Sequence, residues 1–290
     1  MRERTLVGTL ARPSVVAEIL EKHGIHLARA LGQHFLVDGN VLRRVVEGAA
    51  LKPGNTILEI GPGIGTLTEE LCDRAGRVVA VETDRRLITA LRDTLGDRNN
   101  LEILQGDALR VDLPALFSPG EPLKLVSNLP YSIATPLILH TLHELPQLRS
   151  LTVTVQRELA DRYLASPGTS AYNAVSVKLQ FLTDIRRLAH VPPSVFFPPP
   201  RVESSIMHFE RKKSALSLPQ VDAFFSFLNA AFSSRRKKLV NALSGGRNAY
   251  VGRAPAEAAL DETGVPASSR AEELTPDKLL QVFLALQQKS

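Results

Sequence analysis

Cysteine is almost missing from this chain: its 290 residues include one, Cys72. A single thiol excludes an intramolecular disulfide and any multi-cysteine metal site, and it suits a reducing compartment. Cys72 falls in an apolar helical pattern with Leu67, Leu71 and Ala75, where a thiol packs as a small hydrophobe. Long hydrophobic runs are missing too. No stretch reaches the roughly 20 apolar residues of a membrane span. Met1 to Leu10 lacks the apolar core of a secretory signal, and Arg12 to His26 mixes acids with bases, unlike a transit peptide. The expectation is a cytoplasmic, monomeric protein with no membrane association. No internal repeat stands out, and no set of histidines has metal-ligand clustering. His140 and His143, three apart on a helical pattern, read as a surface pair, so no metal is expected.

What is present is an ordinary globular mix, 44% hydrophobic and 22% charged, with a net charge of +5. The length suits one large α/β domain and a small appendage. The charge is unevenly spread. Residues 205–250 hold eight Lys/Arg against two acids, whereas residues 251–290 hold four bases against six acids. A basic excess confined to one stretch points to a polyanion contact. A solvated helix face is the plainer alternative.

Strand and helix patterns alternate from residue 56 onward. Strands are predicted at 56–60, 77–82, 101–105, 123–127 and 151–156, with helices at 66–75, 85–95, 136–145 and 158–164. Earlier, 14–27 reads as a helix ended by Gly24, and Asp38 is placed to cap a helix running through Ala50. Residues 178–191 and 204–210 read as two last strands. The fold class is therefore α/β, a doubly wound, mainly parallel sheet with helices on both faces. After Arg211-Lys212-Lys213 the pattern turns helical: 219–232, Arg235 to Leu243 behind Ser233-Ser234, 256–262 and 277–287. Two domains follow, 1–213 and 214–290.

Four groups within the alternating region carry chemistry. Glu59-Ile60-Gly61-Pro62-Gly63-Ile64-Gly65 follows a strand and opens a helix. Its glycines let backbone approach a ligand. A dinucleotide fingerprint would place its third glycine at 66, where Thr66 stands, and Pro62 removes an N–H, so the spacing suits a nucleoside without a phosphate bridge. Glu82 ends the next strand, placed to accept from two ribose hydroxyls. Asp107, in Gly106-Asp107-Ala108, follows the third and can accept from an adenine amine. Asn128-Leu129-Pro130-Tyr131 ends the fourth. The Asn128 side-chain oxygen and the Leu129 carbonyl can both accept from one exocyclic amino group, Pro130 fixes φ, and Tyr131 offers a stacking face. Each alone could be a cap or a turn. Together they line one crevice at the carboxyl ends of successive strands.

The combination resembles the S-adenosylmethionine site of Rossmann-like methyltransferases acting on nucleobase amino groups. Further segments narrow the resemblance to the rRNA adenine N6,N6-dimethyltransferase family. They are Leu31-Gly32-Gln33-His34-Phe35-Leu36, Gln156-Arg157-Glu158-Leu159-Ala160-Asp161-Arg162, Phe196-Phe197-Pro198-Pro199-Pro200-Arg201-Val202-Glu203-Ser204 and Arg235-Arg236-Lys237-Lys238-Leu239-Val240-Asn241-Ala242-Leu243, in the family's order over about residues 14–285. The resemblance implies S-adenosyl-L-methionine as cofactor, held by Gln33, His34, Leu36, Gly61, Gly63, Glu82, Asp107, Ala108 and Asn128. It implies catalysis by Asn128, Leu129, Pro130, Tyr131 and a second stacking ring, Phe196. It also implies RNA contacts from Arg235, Arg236, Lys237 and Lys238. The implied reaction is dimethylation of two adjacent adenosines in a small-subunit rRNA hairpin, on an immature ribosomal subunit. Action on large-subunit rRNA, or a binding role as an assembly checkpoint, are the alternatives. Two positions depart from the family pattern. His34 stands for an Asn at the methionine end of the cofactor, where imidazole can still donate or accept and would make binding pH-sensitive. Asn173 stands for a Gly, where tolerance of left-handed backbone would keep a turn.

Overall fold

The computed structural model of the protein describes residues 10–25, 34–214, 216–245 and 249–288. Two compact units emerge, the first from residues 1–160 and 186–211, the second from 161–185 and 212–290. The expected single division at 213 thus gains two more crossings, because residues 161–185 cluster with the C-terminal helices.

The first unit is built on a seven-stranded sheet. Its strands are β2 (Thr56–Ile60), β3 (Arg77–Glu82), β4 (Leu101–Gln105), β5 (Leu123–Asn128), β6 (Leu148–Gln156), β7 (Thr183–Val191) and β9 (Ser204–Arg211), in the order β4-β3-β2-β5-β6-β9-β7. β4 to β6 are mutually parallel, and β9 runs antiparallel to β6. β2 is buried at all five positions, as a central strand covered on both faces requires. Helices α2 (Gly39–Gly48), α3 (Thr66–Cys72), α4 (Arg85–Leu95) and α5 (Ala134–Glu144) follow their predicted places, preceded by α1 (Pro13–Lys22). Asp38 caps α2 as expected, its Oδ1 accepting from Asn40 N and Val41 N at 2.9 Å each. Cys72 is buried in the core formed with Leu67, Leu71 and Val78, and burial pushes its thiol up to about 12, so it stays a neutral packing group.

A two-residue pairing escaped the sequence pattern. β1 (Phe35–Leu36) lies antiparallel to β8 (Phe196–Phe197), with Phe35 opposite Phe197 and Leu36 opposite Phe196. Segments this short leave no periodicity to read.

The second unit packs the end of α6 (Arg157–Tyr163), α7 (Ala174–Leu182), α8 (Leu218–Ala231), α9 (Leu239–Ser244), α10 (Arg253–Glu262) and α11 (Pro276–Gln287). Its core centres on Phe224, which meets Phe181 at 5.0 Å and Phe283 at 5.2 Å between ring centroids. Two expectations are corrected here. Residues 178–182 are the end of helix α7, with β7 starting only at Thr183. The cause is Asn173, which is extended at φ −157 and forms a capping box with Ser176, so it caps a helix where a left-handed turn was expected. Residues 233–238 are a turn, and α9 begins at Leu239 where a helix from Arg235 was expected.

Candidate active site

β2 lies between β3 and β5; the chain leaves β2 toward β3 on one side and leaves β5 toward β6 on the other, so connections diverge between the carboxyl ends of β2 and β5. Open α/β sheets bind ligands at such a point. A cavity of about 290 Å³ lies there, lined by residues from the ends of β2, β3 and β5, the loop after β4, and β1. Its size is at the low end for a small-molecule site.

The glycine turn forms one wall. Gly61 and Gly63 have φ of +70 and +61, backbone that side chains disfavour. A Cβ on Gly63 would stand 2.6 Å from Phe35 Cε1, so the ring of β1 rests directly on the turn. Glu82 fixes the other side of the turn. Its Oε1 accepts from Thr83 N at 2.8 Å and Asp84 N at 3.0 Å, and its Oε2 accepts from Gly63 N at 3.3 Å. Oε1 also accepts from Thr83 Oγ1 at 3.3 Å, so it is Oε2, with a single donor, that keeps lone-pair capacity toward the cavity. Asp107 is half-exposed; its Oδ1 accepts from Leu109 N at 3.0 Å, while Ala108 beside it is buried.

Asn128 ends β5 and is held in one orientation. Its Nδ2 donates to the His34 carbonyl at 2.8 Å. A carbonyl only accepts, so the amide nitrogen must face it, and Oδ1 points the other way. That oxygen is buried and meets no hydrogen-bond partner among the described residues. A buried acceptor left unpaired costs roughly 1–3 kcal/mol, which a ligand N–H would offset. Leu129 is 1% exposed and Pro130 lies near the turn, its Cγ and Cδ 3.6 Å from the position of a Gly61 Cβ. The Tyr131 hydroxyl shares a 2.5 Å hydrogen bond with Ser204 Oγ, and burial raises its phenol, so the ring is neutral and pinned at its far end. His34 stacks on it, with centroids 5.5 Å apart and planes at 29°. His34 Nδ1 lies 2.6 Å from the Pro198 carbonyl, so Nδ1 carries the hydrogen.

His34, Leu36, Gly61, Gly63, Glu82, Asp107, Ala108, Asn128, Leu129, Pro130 and Tyr131 all line this one cavity. Gln33 lies outside the described residues. Phe196 is not brought to it, a correction of the expected second stacking ring. Its ring is taken up by the core, 2% exposed in the cluster that holds Val191, Ile206 and Leu36. Sequence reasoning missed Glu59. It opens the glycine segment, but an acid inside a buried strand carries no signal of its own. It is 1% exposed, lines the cavity, and burial pushes its carboxyl up to about 8.

The basic segment belongs to the second unit. Arg235 is committed internally, donating to Ser170 O at 2.5 Å and Thr169 O at 3.2 Å and pairing with Glu272 at 2.8 Å. Arg236, Lys237 and Lys238 are exposed, and their side chains meet no partner among the described residues. Among the described residues no group of three His, Cys, Asp or Glu could hold a metal, and no helix is long and apolar enough to cross a membrane.

Comparison with known proteins agrees with this geometry. Residues 25–288 match the family model described as ribosomal RNA adenine dimethylase. The chain is 42% identical to Ribosomal RNA small subunit methyltransferase A of Alkaliphilus oremlandii, over 82% of this chain and 84% of that one. It is 39% identical to the protein of the same name from Shouchella clausii, over 96% and 95%. Among solved structures, 23S rRNA methyltransferase ErmE superposes with a TM-score of 0.65 at 30% identity, covering 88% of this chain and all of that one. A dimethyladenosine transferase from Plasmodium falciparum gives 0.73 at 24%, over 88% and 98%, which is a likeness of fold.

Proposed function

The chain belongs to the ribosomal RNA adenine dimethylase family, and on that premise we propose that it transfers methyl groups from S-adenosyl-L-methionine to the N6 amino groups of two adjacent adenosines in small-subunit rRNA. The substrate in this reading is an immature small subunit, in the cytoplasm. The observation that carries it is the Asn128 amide, whose orphaned Oδ1 is buried in the cavity that Tyr131 also lines.

The residues present fit the cofactor. Two buried carboxyl or amide oxygens, on Glu59 and Asn128, have no partner among the described residues, and the turn that lines the cavity carries no side chain at Gly61 or Gly63. Glu82 would hold the ribose, Asp107 with Ala108 the adenine, and His34, Leu36 and the glycine turn the methionine end. When bound, the cofactor supplies a methyl group already activated by its sulfonium. The protein's task is then alignment, which can lower a barrier by about 7–11 kcal/mol in favourable cases.

The target adenine must leave its stack to enter the cavity. Tyr131 provides a face worth roughly 1–3 kcal/mol. The adenine N6 is a weak nucleophile because its lone pair is delocalised into the ring. Asn128 Oδ1 and the Leu129 carbonyl accept its two hydrogens. That favours a pyramidal nitrogen and stabilises the positive charge that develops there. Asn128 is neutral and no base, so the proton leaves to solvent after transfer. The rigid seat of Asn128, tied to the His34 carbonyl, keeps the acceptor in place before the base arrives.

Action on large-subunit rRNA is the second reading, favoured by the likeness to ErmE. The higher identity to proteins named for the small subunit supports the first. Tritiated methyl transfer from S-adenosylmethionine to immature small subunits and to large-subunit rRNA, with nucleoside identification, decides between them. The expected product is N6,N6-dimethyladenosine in the small subunit. Label confined to large-subunit RNA would overturn the reading.

A further inference from the structure

One buried acid at the cavity has no task in the methyl transfer itself. Glu59 is the fourth residue of β2, 1% exposed, and its Oε2 meets no hydrogen-bond donor among the described residues. The groups that face it come from two elements. Thr68 and Cys72 approach from α3, and Glu82 from the end of β3. The Thr68 hydroxyl lies beside the carboxyl without closing a well-formed hydrogen bond, since Thr68 Oγ1 is itself unpartnered. None of these groups is a cation. Elsewhere on the cavity wall the ionisable groups are His34, Asp107 and Tyr131.

Burial pushes the Glu59 carboxyl up to about 8, the Thr68 hydroxyl pulling the other way and the Glu82 charge adding to the rise. In the ligand-free protein at neutral pH the group is therefore mostly a neutral acid. An ionised carboxylate with no counter-charge in such a place is costly. A cation brought within about 4–6 Å reverses that preference.

We propose that Glu59 is the anionic partner of a cationic group on the nucleoside that fills this cavity, and that it releases its proton to solvent when that cation binds. This rests on the reading that the nucleoside is S-adenosylmethionine, which carries two cations, the sulfonium and the α-ammonium. Either source brings one positive charge in as one proton leaves, so the incoming cation meets a counter-charge at Glu59. If the sulfonium is the partner, methyl transfer removes the charge, Glu59 takes a proton back, and the neutral thioether product loses its counter-ion.

The direction with pH follows. Below pH 8 the acid must ionise to make the pair, so donor affinity rises as pH rises, by up to about tenfold per pH unit. Above pH 8 the rise flattens.

Isothermal titration calorimetry at pH 7.0 in phosphate and in Tris counts the protons. S-adenosylmethionine should release about 0.9 proton from the wild-type protein and none from Glu59→Gln. S-adenosylhomocysteine separates the two sources: release comparable to the donor assigns the ammonium, and none assigns the sulfonium. 5′-Methylthioadenosine, which has neither cation, should bind without release. Donor binding with no proton released, or release that persists in Glu59→Gln, overturns the proposal and leaves the methyltransfer reading intact. Failure of all three nucleosides to bind overturns both. If Glu59→Gln does not fold, the proton count and the pH dependence of donor affinity in the wild-type protein still decide.

Discussion

Asn128 shows how much one side chain can be asked to do. Its amide nitrogen is fixed by the His34 carbonyl, and its oxygen is thereby left for a ligand. Asn128→Ala should lower methyl transfer on the order of 10²- to 10³-fold or more while RNA affinity stays nearly unchanged, as read by single-turnover assays beside filter binding. Full activity would remove the amide from the mechanism. Glu59 makes a different prediction, on stability. Its carboxyl is raised from 4.5 to about 8 in the folded protein. Below pH 4.5 both states are protonated and nothing is lost. As pH rises toward 8 the unfolded chain ionises and the folded one does not, so stability falls. Ligand-free Glu59→Gln should escape that fall and gain on the order of 2–4 kcal/mol over the wild type between pH 5 and 8.5. Thermal melts across that range check it; a gap that does not change with pH would contradict the buried, uncompensated acid.

At the scale of elements, the strand ends do the placing. Glu82, Asp107 and Asn128 come from three strands far apart in sequence, and only the order β4-β3-β2-β5 brings their carboxyl ends side by side. Their residue types were legible because each stands at a predicted strand end. Phe196 was not, because its burial depends on packing against Val191 and Ile206, which share no periodic pattern with it. The capping of α7 was missed for a related reason: Asn173 reads equally as a turn residue or a cap until Ser176 is seen to reciprocate. Asn173→Ala should cost about 1 kcal/mol by urea denaturation. The turn at 233–238 divides its charges between two tasks. Arg235→Ala should lower the melting temperature, since it strips the guanidinium that joins Ser170, Thr169 and Glu272. Neutralising Arg236, Lys237 and Lys238 together should leave melting unchanged and flatten the salt dependence of RNA binding, by about 0.7–0.9 in log–log slope for each phosphate charge no longer neutralised. An unchanged slope would take these residues out of the RNA interface.

At the scale of the whole molecule, the chain divides its labour between a sheet that builds the pocket and a helical cluster that carries the exposed bases. The sequence by itself determined the α/β alternation, the Asp38 cap of α2, the glycine turn and the run Asn128 to Tyr131, because these depend on local periodicity and on residues close together in the chain. The tertiary structure alone decided three things. It folded residues 161–185 into the C-terminal unit, since compactness arises from which segments pack together and not from chain order. It turned Phe196 away from the cavity and Arg235 toward its own unit's carbonyls, since a side chain's partners are set by what packs beside it. And it left Glu59 buried beside Glu82 with no cation to meet it among the described residues, an electrostatic condition that exists only once separate strands stand next to each other in a low-dielectric interior.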